Sequence, residues 1–280
     1  MNASARLIAP NLPAELTNAE FAQFKRLAHD WAGINLEEQQ RAMLYSRFCR
    51  RVRELNMPCF EAYADYARAN ERYERVFFVN KVTTNLTYFF REPHHFDHLV
   101  THAIPALYNP DKPQKKIRIW SSACSSGQEP YSIATALAEK KLDQIANLRV
   151  LSTDINSDMV ELTRAGAFSM TDSRGLTDVL RYKWFTESAD GFVAAPELRK
   201  LLLCSTLNLF GHWPFAGPVD VIFCRNALIY FSRELQGQLI RRFASVQQPG
   251  GFLYLGHSEV VPCTREYYER VDNTVFRRVP

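Results

Sequence analysis

Between Ile117 and Ser132 the chain changes character twice. An alternating apolar run, Ile117, Ile119 and Trp120, gives way to six small residues, Ser121 to Ser126, then to Gly127. A helix-like run from Tyr131 to Lys141 follows, opened by Pro130. Proline is tolerated in a first helical turn because its missing N–H would be unpaired there. The stretch therefore reads as strand, tight turn, helix. In an open α/β sheet such a turn lies outside the carboxyl ends of the strands, where nucleotide-like cofactors bind. Few other folds accommodate it.

A second strand-like run, Arg149 to Asp154, ends in an acid. An acid there can accept both ribose hydroxyls of an adenosine. The interval from Gly127 to Asp154 is longer than the roughly 20 residues of the dinucleotide fingerprint. The turn also has one glycine, not a G-x-G-x-x-G pattern. Pyrophosphate needs closely approaching bare backbone, which serines supply poorly. Adenosine joined to an amino acid has no phosphate to cradle, so S-adenosylmethionine fits better than NAD. An ordinary strand–turn–helix with an unremarkable aspartate is the other reading.

The 280 residues suffice for two domains, and 46% hydrophobic with 23% charged content indicates a globular chain. There is no apolar run of about 18 residues and no signal-peptide pattern. No membrane insertion is expected. Six scattered cysteines without a C-x-x-C pair suit reduced thiols in the cytoplasm. The net charge of +4 permits an acidic partner without requiring nucleic acid.

Residues 1–14 read as a loose tail. Thr17 and Glu20 fit a capping box, and Gly33 suits the stop of the helix between them. Its apolar positions are Phe21, Phe24, Leu27, Ala28 and Trp31. A second helix, about 37–55, lines up Leu44, Phe48, Val52 and Leu55, with Arg47, Arg50 and Arg53 opposite. A third helix carries Phe60, Tyr63 and Tyr66. A fourth, about 71–84, carries Tyr73, Val76, Phe77 and Val82. Residues 15–84 thus form a helical domain, and 85–280 a second domain. The arginine face is either a solvated helix side or a docking surface for an acidic helix. Basic helices also sit on phosphates.

Pro93 is expected to open a helix through Leu107. His94, His98 and His102 share an i+4 spacing, but no Cys, Asp or Glu completes a metal site, so packing is expected and no metal. Residues 109–114 read as a loop. Strands at 117–120, 149–153, 219–224 and 251–255 alternate with helices, the pattern of a doubly wound sheet. Pro249-Gly-Gly reads as a turn before the last of these. Residues 166–205 break that rhythm and read as an inserted β-subdomain, although Leu201 to Leu209 already looks like a returning strand.

Five motifs resemble one family. They are Thr83 to Phe96, Ala123 to Ser132, Ser152 to Asn156, Phe223 to Asn226 with Ile229 to Phe231, and Gly256 to Glu259. Together, in this order over about residues 15–280, they are similar to the CheR-type chemotaxis-receptor methyltransferases. The resemblance implies an α/β class I S-adenosylmethionine-dependent methyltransferase fold with a helical N-terminal domain and a small inserted β-subdomain. It implies methyl transfer from S-adenosylmethionine, leaving S-adenosylhomocysteine, to glutamates of chemoreceptor signalling helices. By motif, Asn85, Thr87 and Arg91 would line the cofactor and active site. Glu129 would meet the amino acid or ribose end of the cofactor, and Asp154 its ribose. Asn208 and Leu209 would flank the adenine, and Arg225 and Asn226 would close the pocket. Tyr230 would face the substrate, with Arg91 as its catalytic companion. Two departures are conservative: Gln128 where the family more often has Glu, and Ala227-Leu228 where Val-Met or Val-Leu is commoner.

In some family members the insert carries a glycine-rich loop that tethers a receptor pentapeptide. The corresponding turn, Thr186 to Phe192, is short with one glycine, so such a tether is not expected here. Two other functions remain to be weighed. One is a class I methyltransferase acting on a small molecule or nucleic acid, though no N-P-P-Y or D-P-P-Y motif is present. The other is a non-catalytic cofactor-sensing docking module, which would be marked by loss of Arg91, Tyr230 or Asp154.

Overall fold

The structure, a computed structural model, describes residues 15–112, 116–215, 217–259 and 264–280. The tail at 1–14, the end of the 109–114 loop and Cys263 lie outside them. Two compact units divide the chain, Met1–Thr83 and Thr84–Pro280.

The first unit is helical. Its opening helix, Asn18–Ala32, has the capping box: Glu20 Oε2 accepts the Thr17 N–H at 2.8 Å and Thr17 Oγ1 accepts the Glu20 N–H at 3.3 Å. Gly33 ends it at φ 71°. The second helix is shorter than its pattern, because a 3₁₀ turn, Glu38–Gln40, precedes Arg41–Glu54. The fourth, Glu71–Val82, corrects the sequence reading. Tyr73 and Val76 are exposed, whereas Glu74 is buried with Phe78, Val79 and Val82. The cause is an ion pair. Glu74 takes a hydrogen bond from Arg51 and another from the Tyr63 hydroxyl at 3.2 Å, and this rotates the buried face.

Among its described residues the second unit holds ten strands: β1 (Lys116–Ser121), β2 (Asn147–Asp154), β3 (Ala167–Ser169), β4 (Phe185–Ser188), β5 (Gly191–Ala194), β6 (Leu202–Thr206), β7 (Val219–Cys224), β8 (Gln247–Leu255), β9 (Tyr268–Asp272) and β10 (Val275–Arg278). Seven form one sheet in the order β6-β2-β1-β7-β8-β10-β9. The first five run parallel, and β10 is antiparallel to both neighbours. Side chains alternate between the faces. Ile117, Ile119, Val221 and Phe223 pack under Phe96, Ile133 and Leu137, while Trp120, Ile222 and Leu253 pack against Leu239, Ile240 and Phe243 of the helix Arg233–Val246. With helices on both faces, this is the doubly wound layout of class I methyltransferases.

The chain builds outward through β1, β2 and β6, then returns to the other side of β1 at β7. That reversal opens a crevice between the carboxyl ends of β1 and β7.

Two boundaries differ from the sequence reading. Pro249 and the two glycines after it lie inside β8, where the β7 pairing shifts register between Val219 and Val221. Proline donates nothing to a ladder, so a bulge is where it fits. The helix after Pro93 is also not uniform. It runs His94–His98, a π turn at Leu99–Ala103, then Ile104–Leu107. Pro105 has no N–H to give the regular ladder, and the π turn precedes it.

The small sheet, β3-β5-β4, closes over an aromatic cluster of Phe168, Phe185 and Phe192. Phe89 joins them, 4.9 Å from Phe168 and edge-on. Its strands end at Ala194, and Leu202–Ser205 already belong to β6, so a boundary at 205 runs into the large sheet.

Candidate active site

The turn after β1 is held from below by a strand end. Asp154 Oδ2 accepts the Ser125 N–H at 2.8 Å and Oδ1 accepts the Asn156 N–H at 2.9 Å. Cys124 N–H reaches the Thr153 carbonyl at 2.9 Å. Each carboxylate oxygen retains acceptor capacity beyond these bonds. Gly127 then turns the chain at φ 104° into the helix Gln128–Glu139, and a Cβ there would meet Thr163 Cα at 3.1 Å. The bare backbone is required for that close approach.

Glu129 sits in the first turn of this helix. Its Oε1 accepts the Ser121 hydroxyl at 2.7 Å, and its Oε2 lies 3.3 Å from Arg225 Nη1. Arg225, at the end of β7, is almost wholly buried. Its other terminal nitrogen donates to the carbonyl of Arg91. The residue therefore ties the helix Gln128–Glu139 to the 84–91 segment. Asn85 adds a second tie, its carbonyl accepting the Ser125 hydroxyl at 2.9 Å. Thr87 is half-buried on the same segment.

Beyond β6, Leu207 N–H bonds to the Asp154 carbonyl at 2.9 Å, which sets Asn208 and Leu209 beside that strand end. Asn208 Oδ1 accepts the Phe210 N–H at 2.9 Å. Leu209 packs its side chain into the core with Trp120, and its carbonyl takes Arg242. Asn226, at φ 58°, follows Arg225 in the loop to Tyr230. Tyr230 is half-buried, and burial raises its pKa.

Arg91 differs from Arg225. Its Nη1 donates to the Leu86 carbonyl at 3.3 Å, and its guanidinium lies 5.7 Å from the Tyr88 ring centre. Among the described residues, no carboxylate comes within ion-pair distance of it. A cation beside a tyrosine, at the crevice, is left available for an anionic ligand.

Sequence reasoning assigned no role to Glu259, Glu92 or His257. Glu259 is buried and caps the loop after β7. It accepts N–H groups from Asn226 at 2.9 Å, Leu228 at 2.7 Å and Gly256 at 2.6 Å. Gly256 admits this contact, since a Cβ there would lie 2.6 Å from Asn226 Nδ2. The histidines are also placed. His98 Nδ1 is 2.9 Å from the Tyr254 hydroxyl, and His94 Nε2 is 3.1 Å from the Asn273 carbonyl. Among the described residues no cluster of His, Cys, Asp or Glu has metal-site geometry.

Arg47 does not belong to the exposed arginine face. Its Nη1 donates to the carbonyls of Lys81 at 2.8 Å and Thr83 at 2.6 Å, completing the end of the helix Glu71–Val82. Burial lowers its pKa. Arg53 is exposed, as is Arg50, which pairs with Glu54 at 2.7 Å.

Family comparison decides what this arrangement serves. The CheR methyltransferase SAM-binding domain matches residues 85–277, and the CheR all-alpha domain matches residues 19–83. The chain belongs to the CheR methyltransferase family. It is 37% identical to a probable chemotaxis protein methyltransferase of Rhizobium etli, over 88% of this chain and 94% of that protein. Chemotaxis protein methyltransferases of Klebsiella aerogenes and Escherichia coli are each 36% identical, over 94% and 87% of this chain and 90% and 85% of theirs. The chain is thus an S-adenosylmethionine-dependent methyltransferase of chemotaxis. The residues fit that cofactor. Asp154 and Glu129 are buried carboxylates, at the end of β2 and in the first turn of the helix after β1, an acceptor set that suits hydroxyl and ammonium groups. The single-glycine turn offers no phosphate cradle.

Burial pushes the Asp154 carboxyl up, against the backbone amides that favour its charge. Burial does the same to Glu129, against Arg225 and the Ser121 hydroxyl. Ionised carboxylates accept more strongly from hydroxyl and ammonium groups than protonated ones do. Cofactor affinity should therefore fall on acidification before an ordinary carboxylate near pH 4 would titrate. Calorimetry from neutral pH down through the ordinary carboxylate range reads this, and affinity that falls no earlier than that range would exclude both groups as its cause. For folding the sign is opposite. A raised carboxyl pKa contributes stability below the unfolded value, and that contribution is lost as pH rises through the folded one.

Proposed function

We propose that this CheR methyltransferase esterifies glutamate side chains on chemoreceptor signalling helices, in the cytoplasm. The observation that carries the reading is Arg91: among the described residues no carboxylate pairs with its guanidinium, which donates to the Leu86 carbonyl and lies by the Tyr88 ring. A glutamate carboxylate matches its fork by paired, charge-assisted hydrogen bonds.

The chemistry asks little of the protein. A glutamate with a pKa near 4.3 is already ionised at neutral pH, so no general base is needed. Bound at Asp154 and Glu129, S-adenosylmethionine supplies an activated methyl group. The protein's residues orient the acceptor and exclude water, an effect of proximity. Arg91 orients the carboxylate, and Tyr230 donates to one of its oxygens and so aims the other. Asn85, Thr87, Asn208, Leu209, Arg225 and Asn226 frame the cofactor. In the test, labelled S-adenosylmethionine is incubated with a chemoreceptor cytoplasmic fragment. Label released by base as methanol supports the ester, and label retained after base overturns it.

Tyr230→Phe is expected to lower kcat while leaving cofactor affinity within about twofold, since it removes one donor and little volume. Wild-type turnover in this variant would end the aiming role.

Arg50 and Arg53 form the remaining exposed basic pair, and we assign them to receptor docking, with Arg47 as their structural support. Arg50→Glu with Arg53→Glu should raise KM for the receptor fragment at low salt. The increase should shrink near physiological ionic strength, where screening acts over about 8 Å. Unchanged KM at low salt would refute this. The β4–β5 connection is just Ala189 and Asp190, between the paired Ser188 and Gly191. It leaves no extended loop for a receptor pentapeptide, and a titration with that peptide should show no binding.

A further inference from the structure

Arg91 stands between two strained residues. Phe90 has φ 51° and Glu92 φ 57°, in the left-handed region that bulky side chains rarely occupy. Backbone of this kind persists only where its surroundings over-determine it, and such sites gather where geometry matters for function.

Three anchors surround the kink. Phe90 N–H donates to Ser132 Oγ at 2.9 Å. Arg225 grips the carbonyl of Arg91 itself. Glu92 Oε1 accepts two bonds from His257, the backbone N–H at 3.3 Å and ring Nδ1 at 3.1 Å. The anchors come from the cofactor helix, the end of β7 and the segment just beyond β8. The other Glu92 oxygen lies 3.8 Å from Arg225 Nη2 and 3.5 Å from His95 Nδ1, without a hydrogen bond to either. Glu92 is therefore held mainly through His257. That histidine is two-thirds exposed, at 66%, so it buries little surface that could make it a core residue.

We propose that Glu92 and His257 form a latch that keeps the backbone at 90–92 in its left-handed kink and thereby aims the Arg91 guanidinium. Both are positioning residues. The inference rests on the reading of Arg91 as the carboxylate holder. A counter-ion role for Glu92 toward Arg225 would show in stability. A latch shows in turnover, because a misplacement of about 1 Å at a reacting group lowers rate by up to about a hundredfold.

The full-length protein is assayed with S-adenosylmethionine and a chemoreceptor cytoplasmic fragment. His257→Ala and Glu92→Ala are each expected to lower kcat roughly tenfold to a hundredfold. Calorimetric affinity for S-adenosylmethionine should stay within about threefold, and the His257→Ala melting temperature should match that of the wild type. His257→Asn keeps a donor near the Nδ1 position, and Glu92→Gln keeps an acceptor. Each should recover most of the turnover that its alanine counterpart loses. The double variant Glu92→Ala with His257→Ala should be no slower than Glu92→Ala, which already removes both the ring and the backbone bond. Wild-type kcat in both alanine variants overturns the latch, as does a loss of turnover that merely follows the melting temperature. Arg91→Ala separates the two readings. If it is fully active, the reading of Arg91 fails. If it is inactive while the latch variants are not, the latch alone fails.

Discussion

Arg91→Ala is expected to reduce methyl transfer to a chemoreceptor fragment by about a hundredfold or more, the scale for removing a preorganised charged group at a reacting centre. The expectation follows from what surrounds the side chain. Arg225, Glu129, Glu92 and Asp154 are committed to one another or to backbone amides, while Arg91, among the described residues, donates to the Leu86 carbonyl and lies by the Tyr88 ring without a carboxylate partner. Arg174 lies over the same Tyr88 ring, 4.2 Å from its centre, and is the other cation there with no carboxylate partner among the described residues. Arg91→Lys keeps the charge but loses the planar fork, so it should recover only part of the activity. Cofactor affinity should fall less than turnover in both variants. Turnover within about threefold of the wild type for Arg91→Ala would remove the residue from the reaction.

Glu259→Ala is expected to destabilise the protein by about 3 kcal/mol or more and to abolish activity with it. The carboxylate is buried and accepts three backbone N–H groups, from Asn226, Leu228 and Gly256. Each buried donor left without a partner costs roughly 1–3 kcal/mol. The loop that collapses joins Arg225 to Tyr230, so the damage passes directly to the site. Glu259→Gln is instructive because its volume is nearly unchanged. Its amide group turns a donor toward other donors, so it should be destabilised too, though less than the alanine variant. Denaturant unfolding measures both. A stability loss below about 1 kcal/mol in Glu259→Ala would mean that water replaces the carboxylate easily.

Much of the fold is legible in the residues because its signals are local. Thr17, Glu20 and Gly33 bracket the first helix through contacts within one turn of its ends. The alternation of Ile117 and Ile119 against Trp120 marks a strand buried on both faces, and Asp154 ends the next one. What escapes reading depends on residues distant in sequence. Arg47 looks like its neighbours Arg50 and Arg53 until the carbonyl ends of another helix come within 3 Å. Glu74 looks like surface until Arg51 and Tyr63 close on it. The Glu92–His257 contact spans 165 positions, and no periodicity reports it. The Gly256–Glu259 motif was visible as a motif, but its role needed the three amides it caps. The candidate site is thus readable as a set of residue types, while the division between Arg91, which is available, and Arg225, which is committed, appears only in three dimensions.

The ties between His94 and the Asn273 carbonyl, and between His95 and the Thr274 hydroxyl, bear on how the enzyme is made. They fasten the segment just after Arg91 to the turn between β9 and β10, and β10 then slots between β8 and β9. A ribosome delivers the chain in the opposite order. The helical unit has mostly local contacts and can form early, whereas the parallel sheet must wait for distant partners. The arginine-bearing segment emerges soon after that unit, yet its fasteners are translated almost 180 residues later. The segment that carries Arg91 is therefore fastened at its far end only after the β9–β10 turn has been translated.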